Sequence, residues 1–183
     1  MRTLLILLLL TGRPAAATEL NLERVPENGL QPQVATQTDG TVHLVYLTGQ
    51  PNGADIRYTR RTDADRNWQT PVTVNSIHHS AVATGTVRGA QIAVGKDGHV
   101  HIVWNGAAQD GDHARAPLYY TRKVNGKFEA QRVMNEGTLH LDGGASIAAN
   151  RDGGVSIVWH AAPPNGKSEA DRRIFLCLSL IHI

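Results

Sequence analysis

Apolar and β-branched residues crowd into three stretches that align without gaps: residues 34–46, 92–104 and 147–159. Each stretch carries an Asp-Gly pair near its middle, at Asp39-Gly40, Asp97-Gly98 and Asp152-Gly153. The flanks are runs such as Val42-His43-Leu44-Val45-Tyr46 and Val100-His101-Ile102-Val103-Trp104. Near-continuous apolar runs predict strands covered on both faces. Asp-Gly between two of them predicts a tight hairpin, with a type I′ turn and positive φ at both central residues.

The repeat extends beyond the hairpin. Ile56-Arg57-Tyr58-Thr59-Arg60 matches Leu118-Tyr119-Tyr120-Thr121-Arg122, and Ile174-Phe175-Leu176 opens the same strand in the third unit. Residues 68–75 match residues 128–135 as a fourth strand. Four antiparallel strands per unit is the make-up of a propeller blade. The expected fold is therefore all-β, an incomplete β-propeller with blades near 31–75, 88–135 and 144–176. At this period a six-bladed ring takes roughly 340 residues, so residues 18–176 are expected to be part of a longer ring. Residues 23–29 resemble residues 131–137. They read either as a stray fourth strand that closes the ring, which removes an open edge, or as a disordered lead-in.

The ends carry signals of a different kind. Met1-Arg2, the apolar run Leu4 to Leu10 and Ala15-Ala16-Ala17 follow the order of a secretory signal peptide covering residues 1–17. The chain is thus expected to be secreted or periplasmic. The run is too short to span a bilayer, and no second apolar segment predicts a membrane partner. The last six residues, Leu178 to Ile183, look like the translation of a sequencing-library adapter, and 177–183 is read as an artefact. The alternative is a genuine apolar strand. Cys177 is the only cysteine, so no intrachain disulfide can form.

The whole chain has 18 Lys and Arg against 16 Asp and Glu. Arg2 and Arg13 belong to the leader, so the remainder is balanced. No basic stripe with interleaved aromatics is present, which argues against a nucleic-acid partner. No phosphate loop, nucleophile elbow or metalloprotease helix occurs, so no cofactor is expected. His43 and His101 share one repeat position that Ser156 fills in the third unit, and His78-His79 lack a third ligand at zinc-like spacing. No metal is expected either.

The geometry of a blade places the connections after strands two and four on one face. Residues 47–55, 76–89, 105–117, 136–144 and 160–173 read as long polar loops there, where sites are usually carried. Arg88 precedes an innermost strand close to the expected axis, and Asp142 holds a comparable place in the third unit. Asp110, Asp112 and Arg115 lie in one loop; Arg172 and Arg173 lie in another. Arg88, Asp110 and Asp112 are the candidate catalytic groups. Gln91, Arg115, Asp142, His160, Arg172 and Arg173 are the candidate substrate contacts.

The strand pairs above, Tyr58-Thr59-Arg60 with Tyr120-Thr121-Arg122, Val87-Arg88-Gly89-Ala90-Gln91 and Leu141-Asp142-Gly143-Gly144 resemble the sialidase-like propellers with BNR or Asp-box repeats. Residues 61–68 keep the Asp63 and Trp68 of an Asp-box, with Arg61 and Asp65 in place of its Ser and Gly. The resemblance implies a glycoside hydrolase acting on terminal acidic sugars through an arginine triad, a Tyr/Glu pair and an Asp acid/base. Of these, Arg88 alone matches a triad-like position, and the N-terminal F/Y-R-I-P motif is absent. The alternative reading is a non-catalytic glycan- or protein-binding propeller. A third is a hydrolase or lyase acting on another polysaccharide.

Overall fold

The computed structural model describes residues 20–65, 67–84 and 89–180. The leader and Arg88 lie outside the described residues. Twelve strands form three antiparallel sheets, with no α-helix among these residues. The first sheet is β1 (Leu30–Thr36), β2 (Val42–Gln50), β3 (Gly53–Arg61) and β4 (Val72–Thr73). The second is β5 (Gln91–Val94), β6 (Val100–Asn105) and β7 (Leu118–Val124), with β8 (Lys127–Phe128) and β9 (Arg132–Val133) both on the edge of β7. The third is β10 (Leu139–Ala149), β11 (Gly154–Ala162) and β12 (Arg173–Leu180). β12 runs past Leu176, the end of the repeat reading, by continued pairing with β11.

The Asp-Gly hairpins are present, but their turns differ from the expected type. Gln37 N–H donates to Thr41 O and Gly40 N–H to Gln37 O, closing a three-residue loop. The same two bonds recur at Gly95/His99 and at Asn150/Gly154. Only the glycine is left-handed, with φ of 81°, 75° and 93° at Gly40, Gly98 and Gly153. A type I turn with one left-handed residue replaces the two-residue type I′. In the first unit Asp39 Oδ1 accepts from Thr41 N–H, which holds the aspartate outside the left-handed region. Gly40 also has Asp63 packed where a Cβ would stand. The expected loop 47–55 is a second departure. There β2 and β3 keep pairing to Gln50↔Gly53, so the connection is only Pro51-Asn52.

Equivalent hydrogen bonds show why the first two units share a sequence. Tyr58 Oη lies 2.7 Å from His43 Nδ1, and Tyr120 Oη lies 2.8 Å from His101 Nδ1. In the third unit Leu176 pairs with Val158 as Tyr58 pairs with Val45 and Tyr120 with Val103, so leucine takes the tyrosine's place, and Ser156 replaces the histidine. Tyrosine and histidine are thus lost together. Burial pushes both imidazoles down to about 4, and nearby Arg60 and Lys123 add to the effect at His43, as His99 and Arg122 do at His101.

Asn75 and Asn135 form a second repeated device. Their Oδ1 atoms accept the buried N–H groups of Ile56 and Leu118, both at 2.7 Å. Their Nδ2 groups hold Asp55 and Ile77 O in the first unit and Ala116 O in the second. Each side chain pins the start of a third strand to the end of a fourth. Asn75→Ala is expected to cost about 2 kcal/mol, because it strands a buried donor. Urea unfolding measures this, and a loss below about 0.5 kcal/mol would contradict the assignment.

Two apolar layers join the sheets. Val45, Leu47, Ile56 and Tyr58 pack on Val100, Ile102 and Trp104 between the first and second sheets. Val103, Leu118 and Tyr120 pack on Leu141, Val155, Ile157 and Trp159 between the second and third. Alternation along each strand sends one set of side chains to each neighbour. The inner strands β1, β5 and β10 stand side by side.

The two outward faces are treated differently. Residues 20–29 pair with no strand. Instead they cross the first sheet, where Glu27 accepts from Tyr46 Oη at 2.8 Å and Arg57 Nε at 2.9 Å. Glu23 pairs with Arg61 at 2.8 Å, and Gly29 lies against the Tyr46 ring with no room for a Cβ. The third sheet instead leaves Ile174, Leu176 and Leu178 exposed.

Candidate functional site

The second and third sheets diverge at the end that carries the longer connections. A cleft of about 630 Å³ opens there. Its walls come from three places: residues 105–108 at the end of β6, residues 113, 114 and 116 in the β6–β7 loop, and residues 140–142 at the start of β10. Arg172, just before β12, and Asn52, Val82 and Thr84 complete it.

The start of β10 is irregular, which aims its polar side chains. The register with β11 shifts between Leu139 and Asp142 and again between Asp142 and Ala145. Gly143 and Gly144 take φ of 76° and 137°, and His140 takes 53°. Bulges of this kind re-aim side chains and recur beside sites, and a left-handed non-glycine residue such as His140 stores strain. Arg172 holds the segment in place. Its Nε donates to His140 O at 2.8 Å, and its Nη1 lies 3.2 Å from Asp142 Oδ2. The arginine side chain is only 12% exposed. The Asp142 side chain is 38% exposed, so water screens the pair from the aspartate side.

The expected site residues divide between places. Asp142 and Arg172 line this cleft together. Asp110, Asp112 and Arg115 line a neighbouring hollow of about 580 Å³ with Tyr119 and Asn135. Asp112 acts there as a local brace: its Oδ1 accepts Ala114 N–H, and its Oδ2 lies 3.3 Å from Arg115 Nε. Gln91 turns back on its own strand entry, donating to Gly89 O and Ala90 O. His160 sits on β11 opposite Asp142 and Ile174, outside the lining of both hollows. Arg173 is exposed and donates to Ala170 O and Arg172 O. Thus the structure gathers Asp142 with Arg172 in one hollow and Asp110, Asp112 and Arg115 in the next, and leaves Gln91, His160 and Arg173 outside both.

His113, His140, Asn105 and Asn52 also line the cleft and were not singled out. One signal in the repeat could have found Asn105. It stands at the strand position that Leu47 holds in the first unit, since Asn105 pairs with Leu118 as Leu47 pairs with Ile56.

The other histidine pair lies elsewhere. His78 and His79 Nδ1 stand 3.6 and 3.7 Å from Asp55 Oδ2. Burial would raise the Asp55 carboxyl, but the bonds from Asn75 and His79 N–H outweigh it and hold it below its ordinary range. Among the described residues no group of three or more His, Cys, Asp or Glu is placed to hold a metal ion.

No family model matches the chain, and no curated protein does. The sialidase-like resemblance therefore has no family match behind it. A solved structure with a similar fold is that of a polysaccharide lyase of a new family, PL25, an ulvan lyase bound to -[GlcA(1-4)Rha3S]-. The TM-score is 0.53 at 13% identity, over 85% of this chain and 43% of that one. The likeness shows a shared all-β fold, and this chain spans less than half the length of the lyase.

Proposed function

We propose that the chain is part of an exported glycan-acting protein that takes an acidic polysaccharide in the cleft between the second and third sheets. Its three sheets are consecutive blades of a β-propeller. The observation that carries this reading is the cleft lining, which combines one guanidinium, two imidazoles and two amides. Guanidinium groups recognise carboxylates and sulfates, and amides satisfy sugar hydroxyls. The similar fold of a polysaccharide lyase bound to -[GlcA(1-4)Rha3S]- supports the substrate class.

The lining favours elimination over two-carboxylate hydrolysis. Asp142 is the one carboxylate among the lining residues, and it is engaged by Arg172. Hydrolysis by a carboxylate pair needs two, one on each side of the scissile bond. An imidazole can instead take the proton next to a uronate carboxylate and return one to the departing sugar oxygen. Sialoside hydrolysis is the second reading, favoured by the Tyr-Thr-Arg strands and the partial Asp-box.

Titration with a glucuronate–rhamnose-3-sulfate tetrasaccharide tests the binding, and the ultraviolet absorbance of an unsaturated product tests the elimination. We expect saturable binding that Arg172→Ala weakens about tenfold or more. Release of a fluorescent aglycone from a sialoside, without binding of the tetrasaccharide, would replace this reading with the second.

A further inference from the structure

We infer that Asn105 is a specificity-determining residue that accepts a hydrogen bond from a free hydroxyl of the bound sugar. This rests on the cleft being a saccharide site. Asn105 is 4% exposed, and its Oδ1 is buried with no hydrogen-bond partner. A buried acceptor left unpaired is costly, and such groups are few in native proteins.

The position makes the cost more telling. Every residue of β6 is buried, and the equivalent residue of β2 is Leu47, also fully buried. Leucine therefore suits this place in the repeat, and the chain carries an amide there instead. A local rule broken without internal compensation is expected at functional positions.

The backbone around the amide is fixed. Asn105 O accepts Val82 N–H at 3.0 Å, and Gly106 N–H donates to Pro117 O at 2.7 Å. Residue alternation places Val103 on the third sheet, so Asn105 faces the same gap as Leu141, at the floor of the cleft. A rigid acceptor suits recognition, because little order has to be imposed on binding. An oxygen acceptor selects a donor, and on a saccharide the donor is a hydroxyl. Arg172, on the opposite wall, takes the acidic group of the same ligand. A site built to bond a hydroxyl rejects a ligand that lacks it, because the amide oxygen then stays unpaired.

The test uses the whole chain, the glucuronate–rhamnose-3-sulfate tetrasaccharide, and two variants. Asn105→Leu installs the residue of the first unit, and Asn105→Ala removes the acceptor without adding bulk. Both are followed by calorimetric titration and by thermal melting. We expect a loss of affinity of about tenfold or more, with a melting temperature equal to or above that of the unsubstituted chain. A purely structural amide would give lower melting and unchanged affinity. Unchanged affinity in a folded variant overturns the inference and leaves the cleft reading intact. No binding by the unsubstituted chain overturns both.

Discussion

Acidification from pH 6.5 towards 4 is expected to unfold this chain before its carboxylates protonate. His43 and His101 are buried as neutral imidazoles, each pushed down to about 4 by loss of water and by neighbouring positive charge. In the unfolded chain both titrate near 6.5. Between those values the unfolded state binds two protons that the folded state does not, so stability falls as pH falls. It is fully present above pH 6.5 and is lost by about 4. The upper figure is on the order of 3 kcal/mol for each histidine, at about 1.4 kcal/mol per unit. Domains of this size are stable by about 5–15 kcal/mol, so the two together are decisive. The carboxylates of Glu27, Asp55 and Glu129 are held below their ordinary values and weaken the fold only at lower pH. Melting temperatures across this range check the prediction, and H43Q/H101Q is expected to flatten them. A flat profile in the unsubstituted chain would show that the histidines do not control acid stability.

Leu118→Lys is expected to abolish folding, while Ile174→Lys changes stability by less than about 0.5 kcal/mol. The two residues occupy one repeat position, since each pairs with the residue at the same place in its second strand. Leu118 is fully buried between two sheets, and Ile174 is 69% exposed on the outward face of the third. A lysine at the first site loses an apolar contact and buries a charge, at a cost of about 4 kcal/mol or more. At the second it meets water. Far-ultraviolet circular dichroism and urea unfolding of both variants check this. In a longer chain with a further sheet packed on the third, Ile174→Lys becomes as damaging as Leu118→Lys. That comparison tests the propeller proposal directly.

The parts of the fold legible from sequence were those written in adjacent residues. Near-continuous apolar runs around Asp-Gly located β1–β2, β5–β6 and β10–β11. The matching Tyr-Thr-Arg strands gave β3 and β7. Their limits are also local. An Asp-Gly pair does not distinguish a two-residue turn from a three-residue one, because Gly40 is left-handed in either case. Gly49 and Gly53, read as loop residues, pair in the ladder because β2 and β3 twist together to their ends.

Asp142 and Arg172 were legible as separate loop residues, but their meeting was not. Asp142 and Arg172 lie 30 residues apart and meet because β10 and β12 flank β11. Asn52, Asn105, His113 and His140 reach one cleft through packing between sheets, which no spacing along the chain encodes. Asp110 and Asp112 had the right chemistry for catalysis. Loop geometry instead put them in the neighbouring hollow, where Asp112 braces a turn of its own loop.

Glu27 and Gly29, resting on Tyr46, give the molecule a direction. Units that touch only their neighbours can assemble from any point along the series. Here residues 20–29 lie over one face of the first sheet while the second sheet packs on the other, so that sheet has both faces covered. Removing the third sheet is expected to bare Val103, Leu118 and Tyr120, which pack on it. Trimming residues 20–29 instead strips the foundation on which the first sheet stands.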